Sequence, residues 1–195
     1  MHELLTKGIG HTEFKDTEIG KIPKEWGVVK VENIVMPEDG IKRGPWGSMI
    51  KKEFFVESGY KVYEQKNVIL NDFTVGDYYI NDEKFDELKN YEIKPGDILM
   101  TSAGTIGKIA IVPEGIQRGI FNQALIRIRL NGNKINILFF KYLFESGLLE
   151  RQLRKFTYGA TQVNLASIKI LKQILLPLPP LPEQQKNRRN SFNCG

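Results

Sequence analysis

What the 195 residues leave out narrows their chemistry before any motif is read. The single cysteine, Cys194, has no partner for an internal disulfide, which agrees with a reducing compartment. Both histidines, His2 and His11, precede Thr12. A Ser-His-Asp or Cys-His arrangement would have to recruit that first stretch, and a zinc site has no cluster of ligands to draw on. No apolar run approaches the roughly 18 residues of a membrane span, and "MHELLTKGIG" lacks the apolar stretch of a signal peptide. The expectation is a cytoplasmic chain with no metal and no cofactor.

A nucleotide loop is missing as well, although one stretch imitates it. "TSAGTIGK", residues 101–108, has the glycines, the hydroxyl and the lysine of a phosphate cradle. A P-loop needs four residues between its glycines and a Ser or Thr after the lysine, because the backbone wraps the β-phosphate while the hydroxyl reaches magnesium. Here only Thr105 and Ile106 separate Gly104 from Gly107, and Ile109 follows Lys108. The dinucleotide fingerprint fails too, since "KIAIV" after Gly107 reads as a strand rather than a helix.

What is present is an uneven distribution of charge. Residues 1–100 carry 14 Lys+Arg against 19 Asp+Glu, net −5, and residues 101–195 carry 14 against 4, net +10. A positive surface gains from counterion release on approaching a polyanion, so nucleic acid is the first partner to consider. The nearest approach to a catalytic constellation is Asp39 in "PED" with Glu64 and Lys66 in "EQK". It imitates the P-D…E-x-K pattern of magnesium-dependent nucleases, where carboxylates hold the metal and lysine assists the attacking water. The same residues also read as a charged turn and a strand end.

Along the chain, Pro23 and Trp26 mark a turn before a short strand at 28–31, with Trp26 as a core anchor. "DGIKRGPWGSMIKKEFF" packs three glycines, a proline and a tryptophan into an exposed, shaped loop that runs into Lys51 and Lys52. "YKVYEQKNVIL" alternates like a half-buried strand, and "NDEKFDELKNY" has short helical character. Pro95 and Gly96 turn into a strand at 97–101, and the glycine loop leads to a return strand at 108–112, so its glycines turn a hairpin. "FNQALIRIRL" is strand-like, with Arg127 and Arg129 on one face. Helical spacing follows over 135–155, interrupted near Ser146 and Gly147. The prolines of "LPLPPLPEQQK" forbid helix before Glu183 and invite one after it. Strands, glycine turns and a late helical pair predict one α+β domain with a mixed or antiparallel twisted sheet.

Seven phrases occur in the order found in the specificity subunits of Type I restriction-modification systems. They are "TEIGKIPKEW", "RGPWGS", "YEQKNV", "KPGDILMTSAGTIGKIAIV", "FNQALIRI", "GATQVNL" and "LPLPPLPEQQ". The chain resembles one target-recognition domain of that family from Thr17 to Gln185. The resemblance implies a non-catalytic module that reads one half of a split double-stranded DNA site. Its implied partners are methyltransferase subunits, through them restriction subunits, and a second specificity-type chain. It implies a boundary plan as well: 1–16 as the end of a conserved helix, 17–182 as the recognition domain, and 183–195 as the start of a further conserved helix. Beyond Lys186 the polar "NRRNSFNCG" departs from the family's long helix, so a half-length or truncated subunit is expected.

Bases are read by bidentate Arg, Lys, Asn and Gln, while Lys, Ser, Thr and backbone amides hold phosphates. The DNA-binding candidates are therefore Lys42, Arg43, Ser48, Lys51, Gln65, Asn67, Ser102, Thr105, Lys108, Asn122, Gln123, Tyr158, Thr161, Gln162 and Asn164. "YGATQ" and "KRGPWGS" are the preferred loops. The glycine loop either brings backbone close to DNA phosphates or only turns a hairpin, and glycine permits both. An F-x-G-x-G methyl-donor loop and an Asn/Asp-Pro-Pro-aromatic tetrad are absent, "LPPL" at 178–181 lacking both the amide or acid and the aromatic. The alternatives are a nuclease built on Asp39, Glu64 and Lys66, and a scaffold that touches only protein.

Overall fold

The computed structural model describes residues 8, 10–105, 107–149, 151–152 and 168–185. In chain order the first elements are β1 (Phe14–Thr17), β2 (Gly20–Pro23), β3 (Gly27–Lys30), β4 (Ile41–Arg43), β5 (Tyr60–Tyr63), α1 (Gln65–Leu70), β6 (Tyr79–Ile80) and α2 (Asp82–Glu87). There follow β7 (Ile98–Thr101), β8 (Ile109–Ile111), β9 (Gly119–Phe121), β10 (Leu125–Ile128), α3 (Ile137–Glu145), α4 (Ile168–Gln173) and β11 (Leu175–Leu178). The fold is α+β, and it divides into two compact units.

The first unit takes its described residues from Met1–Val35, Leu130–Val163 and Lys169–Gly195. Its strands pair as two antiparallel ribbons, β1 with β2 and β3 with β11. The β3–β11 pairing sets Gly27 opposite Leu178 and Lys30 opposite Leu175, so residues far apart in sequence close on each other. Pro177 is tolerated in β11 because a two-stranded ribbon leaves one side of the strand without a ladder partner. Trp26 is fully buried, and its indole Nε1 donates to Glu183 Oε2 at 3.0 Å. The other oxygen of Glu183 lies 2.8 Å from His11 Nε2, and the His11 ring stands edge-on to Trp26 at 5.9 Å. Gln184, also buried, accepts from the Asn136 backbone N–H at 2.8 Å and donates to the Pro179 carbonyl at 2.8 Å.

The expected boundary between residues 16 and 17 falls inside β1, and Glu183 and Gln184 pack into the first unit. The expected start of helix after Glu183 moves forward, since residues 181–185 are helical and the Gln184 N–H donates to the Pro180 carbonyl at 3.1 Å. Pro182 is admissible there because the first turn of a helix leaves its N–H groups without intrahelical acceptors. Asn136 caps α3 with its side chain, accepting from Leu138 and Phe139, and Gly147 at φ +77° ends that helical stretch as its spacing suggested.

The second unit spans Met36–Arg129 together with Asn164–Ile168, the latter of which only Ile168 is described. Its four-stranded antiparallel sheet has the order β4-β10-β7-β8, and its three-stranded sheet the order β6-β5-β9, with β5 and β9 parallel. The parallel pair is reached by the long crossover between Tyr63 and Gly119, as parallel pairing requires. One apolar cluster includes Tyr63, Val68, Leu99, Ala110, Phe121 and Leu125, and a second includes Val62, Ile80, Phe85, Leu88 and Ile120. "YKVYEQKNVIL" is not one strand: β5 stops at Tyr63 and α1 begins at Gln65. The Asn67 side chain accepts from the Glu64 N–H at 2.8 Å, which satisfies a donor at the start of α1 and overrides the alternation.

Candidate nucleic-acid interface

Strand order decides which loops meet. In the antiparallel run β4-β10-β7, the end of β4, the start of β10 and the end of β7 lie side by side, with Arg43 opposite Ile126 and Leu125 opposite Thr101. Three connections therefore leave the same end of the sheet. They are the loop after Arg43, the turn 122–124 before β10, and the hairpin 102–108 between β7 and β8. Backbone hydrogen bonds tie them together: Gly44 N–H to Leu125 O at 3.0 Å, Ser102 N–H to Ala124 O at 2.8 Å, and Asn122 N–H to Tyr63 O at 3.0 Å. The last of these brings in the start of α1, with Glu64, Gln65 and Lys66.

The loop after β4 has a fixed backbone. A Cβ on Gly44 would fall 1.9 Å from the Asn122 carbonyl oxygen, so only glycine lets these two segments approach so closely. Pro45 and Ile50 are buried at either side, while Trp46, Gly47 and Ser48 between them are exposed. A 3-10 turn at Gly47–Met49 holds the bend, the Met49 N–H donating to Trp46 O at 2.8 Å. Beside the loop lies a cavity of about 210 Å³ whose lining includes Lys52, Glu64, Tyr78, Asn122 and Gln123. Phe55 stacks on Tyr78 with ring centroids 4.5 Å apart, and the Lys66 ammonium lies 5.6 Å from the Tyr78 ring centroid.

In the hairpin, Gly104 and Gly107 adopt φ of +60° and +82°, and the Gly107 N–H donates to Thr101 O at 3.0 Å. The Lys108 N–H donates to Thr101 Oγ1 at 3.0 Å while its side chain reaches solvent. The glycines do turn a hairpin, and they present Thr105 and Lys108 at its tip.

Of the candidate residues, Arg43, Ser48, Lys51, Gln65, Ser102, Thr105, Lys108, Asn122 and Gln123 all belong to this one end of the second unit. Arg43, Ser48, Lys51, Thr105, Lys108 and Gln123 are exposed. Ser102 is 5% exposed and its hydroxyl has no hydrogen-bond partner among the described residues. Asn122 accepts from the Ala124 N–H at 3.1 Å, shaping its own turn. Two candidates are committed to the fold. Asn67 is fully buried, its amide donating to Asp72 O at 3.0 Å and Val75 O at 2.8 Å. Lys42 donates to Asn90 O at 3.1 Å and pairs with Asp39 at 2.9 Å. Tyr158, Thr161, Gln162 and Asn164, and with them the loop "YGATQ", lie outside the described residues.

The charge map also sharpens. The positive excess falls on the ranges of the first unit, which carry 15 Lys+Arg and 9 Asp+Glu, whereas the second unit carries 13 and 14. Within the second unit the loops at the convergent end hold Arg43, Lys51, Lys52, Lys66 and Lys108 against Glu53 and Glu64. Four acids sit instead on α2, at Asp82, Glu83, Asp86 and Glu87, which follows β6 from the Tyr60 end of β5. Among the described residues Arg43 and Lys52 make no ion pair, and Lys51 reaches Glu53 at 3.5 Å.

Asp39 belongs to a different construction. It pairs with Lys42, with Arg127 and with Arg129 at 2.6 Å, while Arg129 also holds Asp97 at 2.7 Å. Arg127 is 1% exposed, donates to Glu92 O at 2.8 Å, and lies over the Phe121 ring at 5.7 Å. Burial alone would raise the Asp39 carboxyl, but the hydrogen bond from Lys42 and the charges of Arg127, Lys42 and Arg129 outweigh it and hold the group below its ordinary value. Glu64 in turn pairs with Lys66 at 3.3 Å. Among the described residues no group of three or more His, Cys, Asp or Glu is placed to hold a metal ion.

A likeness to solved specificity subunits accompanies this architecture. The HsdS subunit from Thermoanaerobacter tengcongensis superposes with a TM-score of 0.59 at 16% identity, over 91% of this chain and 39% of that one. The Type I specificity subunit from M. genitalium gives 0.55 at 15% identity, over 87% and 38%. At such identities the likeness is one of fold. The family model described as the Type I restriction modification DNA specificity domain matches residues 23–189, and the chain belongs to that family. Two relatives from Methanocaldococcus jannaschii agree. The Type I restriction enzyme MjaVIII specificity subunit is 30% identical over 193 residues, 95% of this chain and 43% of its own length. The MjaIX specificity subunit is 29% identical over 181 residues, 90% and 39%. The chain thus spans about two fifths of the length of the curated relatives it matches. Among the described residues no helix is long and apolar enough to cross a membrane.

Proposed function

We propose that this chain is a non-catalytic DNA sequence-recognition module, reading one half of a split double-stranded target for methyltransferase subunits and, through them, restriction subunits. The observation that carries the reading is the specificity-domain match over residues 23–189. The geometry supports it, because one end of the second unit gathers exposed Arg43, Gln123 and Lys108 on loops whose backbones are pinned by the sheet. Arg43 and Gln123 are side chains of the kind that read base edges, and Lys108 and Lys52 are of the kind that hold phosphates. Asp39, surrounded by three cations, is poorly suited to binding magnesium, which weighs against the nuclease reading.

The test is methylation of duplexes carrying single-base variants of the target, with this chain and methyltransferase subunits together. Arg43→Ala is expected to relax discrimination at one base pair by about 1–3 kcal/mol, and Lys108→Ala to weaken all sequences alike. Incubation of the chain alone with DNA, magnesium and methyl donor should leave the DNA unchanged. Cleavage lost on Glu64→Ala would overturn the non-catalytic assignment.

A further inference from the structure

The loop that carries Arg43 also carries a side chain that no hydrogen-bonding argument would select. Trp46 is 80% exposed, the most exposed of the large hydrophobic residues described. An indole left in water forgoes the burial that ordinarily stabilises it, and tryptophan is enriched where one molecule meets another. Its exposure follows from a built mount: Pro45 on one side and Ile50 on the other are buried, Gly44 is locked against Asn122, and the 3-10 turn fixes the bend.

The surroundings favour a polyanion over a protein surface. Arg43, Lys51 and Lys52 flank the ring in sequence, all exposed, with Glu53 as the only acid between residues 43 and 54. Arg43 and Lys52 have no ion pair among the described residues and so remain available for phosphates. An exposed flat apolar ring with cations close to it in sequence suits the space between stacked bases: side chains of this kind wedge into base steps, and aromatic faces stack on any base.

Resting on the function proposed above, we propose that Trp46 is a DNA-contacting wedge. It stacks against bases of the duplex while Arg43 and Lys52 hold the adjoining backbone or base edge. The contact is tolerant of sequence and sets affinity and DNA shape, leaving base choice to Arg43 and Gln123.

The two tryptophans make the test self-reporting, because Trp26 is fully buried and only Trp46 is open to a neutral quencher such as acrylamide. The full chain is titrated at low salt with a short mixed-sequence duplex, following acrylamide access by fluorescence and binding by anisotropy of labelled DNA. DNA is expected to shield Trp46. Trp46→Ala is expected to weaken binding about tenfold with an unchanged melting temperature, and Trp46→Phe to retain most of the affinity. Salt-dependent binding with unchanged affinity in Trp46→Ala overturns the wedge and leaves the proposed function standing. Shielding by methyltransferase subunits but not by DNA overturns it too and assigns the ring to a protein interface. Failure to bind any DNA at low salt overturns both proposals.

Discussion

The two tryptophans show how differently the two units use the same side chain. In the first unit Trp26 is fully buried, with its one polar atom bonded to Glu183 and its ring nearly perpendicular to that of His11. It closes a structure whose strands β3 and β11 come from distant parts of the chain. In the second unit Trp46 is exposed on a short loop that backbone hydrogen bonds tie to the sheet. The contrast extends to charge. The first unit's ranges hold the net excess of basic residues, yet the second, nearly balanced overall, places five of its 13 basic residues at the convergent end and four of its 14 acids on α2. The net charge of each half of the chain thus differs from that of each unit, because folding redistributes the charges.

Three substitutions should differ in cost according to where their side chains lie. Trp26→Ala should have the largest effect on stability, about 3–5 kcal/mol by urea denaturation, since it empties a core site and leaves Glu183 without its indole donor. Asp39→Asn should follow at about 1–2 kcal/mol near neutral pH, because Arg127, 1% exposed, loses one charge partner, whose own carboxylate is about a third exposed and so screened by solvent. The Asp39 carboxyl is held below its ordinary value, so its contribution is present above the usual carboxylate range and is lost as pH falls through the lowered value. The gap between Asp39→Asn and the parent should accordingly close below about pH 4 in acid denaturation. Trp46→Ala should be smallest, within about 0.5 kcal/mol, as for other exposed sites. Equal losses at Trp26 and Trp46 would end the comparison between a structural and a presented ring.

Much of this arrangement was legible in the sequence for identifiable reasons. Glycines 104 and 107 with β-branched residues on both sides specify the hairpin, and the helical spacing from 135 with Gly147 specifies a stretch that breaks after Glu145, its last expected residues, 153–155, lying outside the described residues. The α1 helix was not legible, because Tyr60–Leu70 alternates like a strand, while the helix is closed by the reciprocal capping of Glu64 and Asn67 at its start and the left-handed Asn71 at its end. Neither was the fate of Asn67: an amide available to bases and an amide locked by two carbonyls look identical in a sequence. Asp39 and Arg129, 90 positions apart, meet only through the β4–β10 pairing that sets Arg43 against Ile126. Trp46 had a signal, a tryptophan closely flanked by glycines and lysines, but its exposure depends on Gly44 packing against Asn122.

If the convergent loops of the second unit hold DNA, as proposed, its affinity for duplex DNA depends on salt and on their lysines. The decisive measurement is that affinity across a range of salt concentrations for the parent chain and for Lys52→Ala. Log affinity is expected to fall linearly with log salt, and Lys52→Ala to reduce the slope by about 1, the share of one phosphate contact. A salt-independent affinity, or a slope untouched by Lys52→Ala and by Lys108→Ala alike, would contradict it.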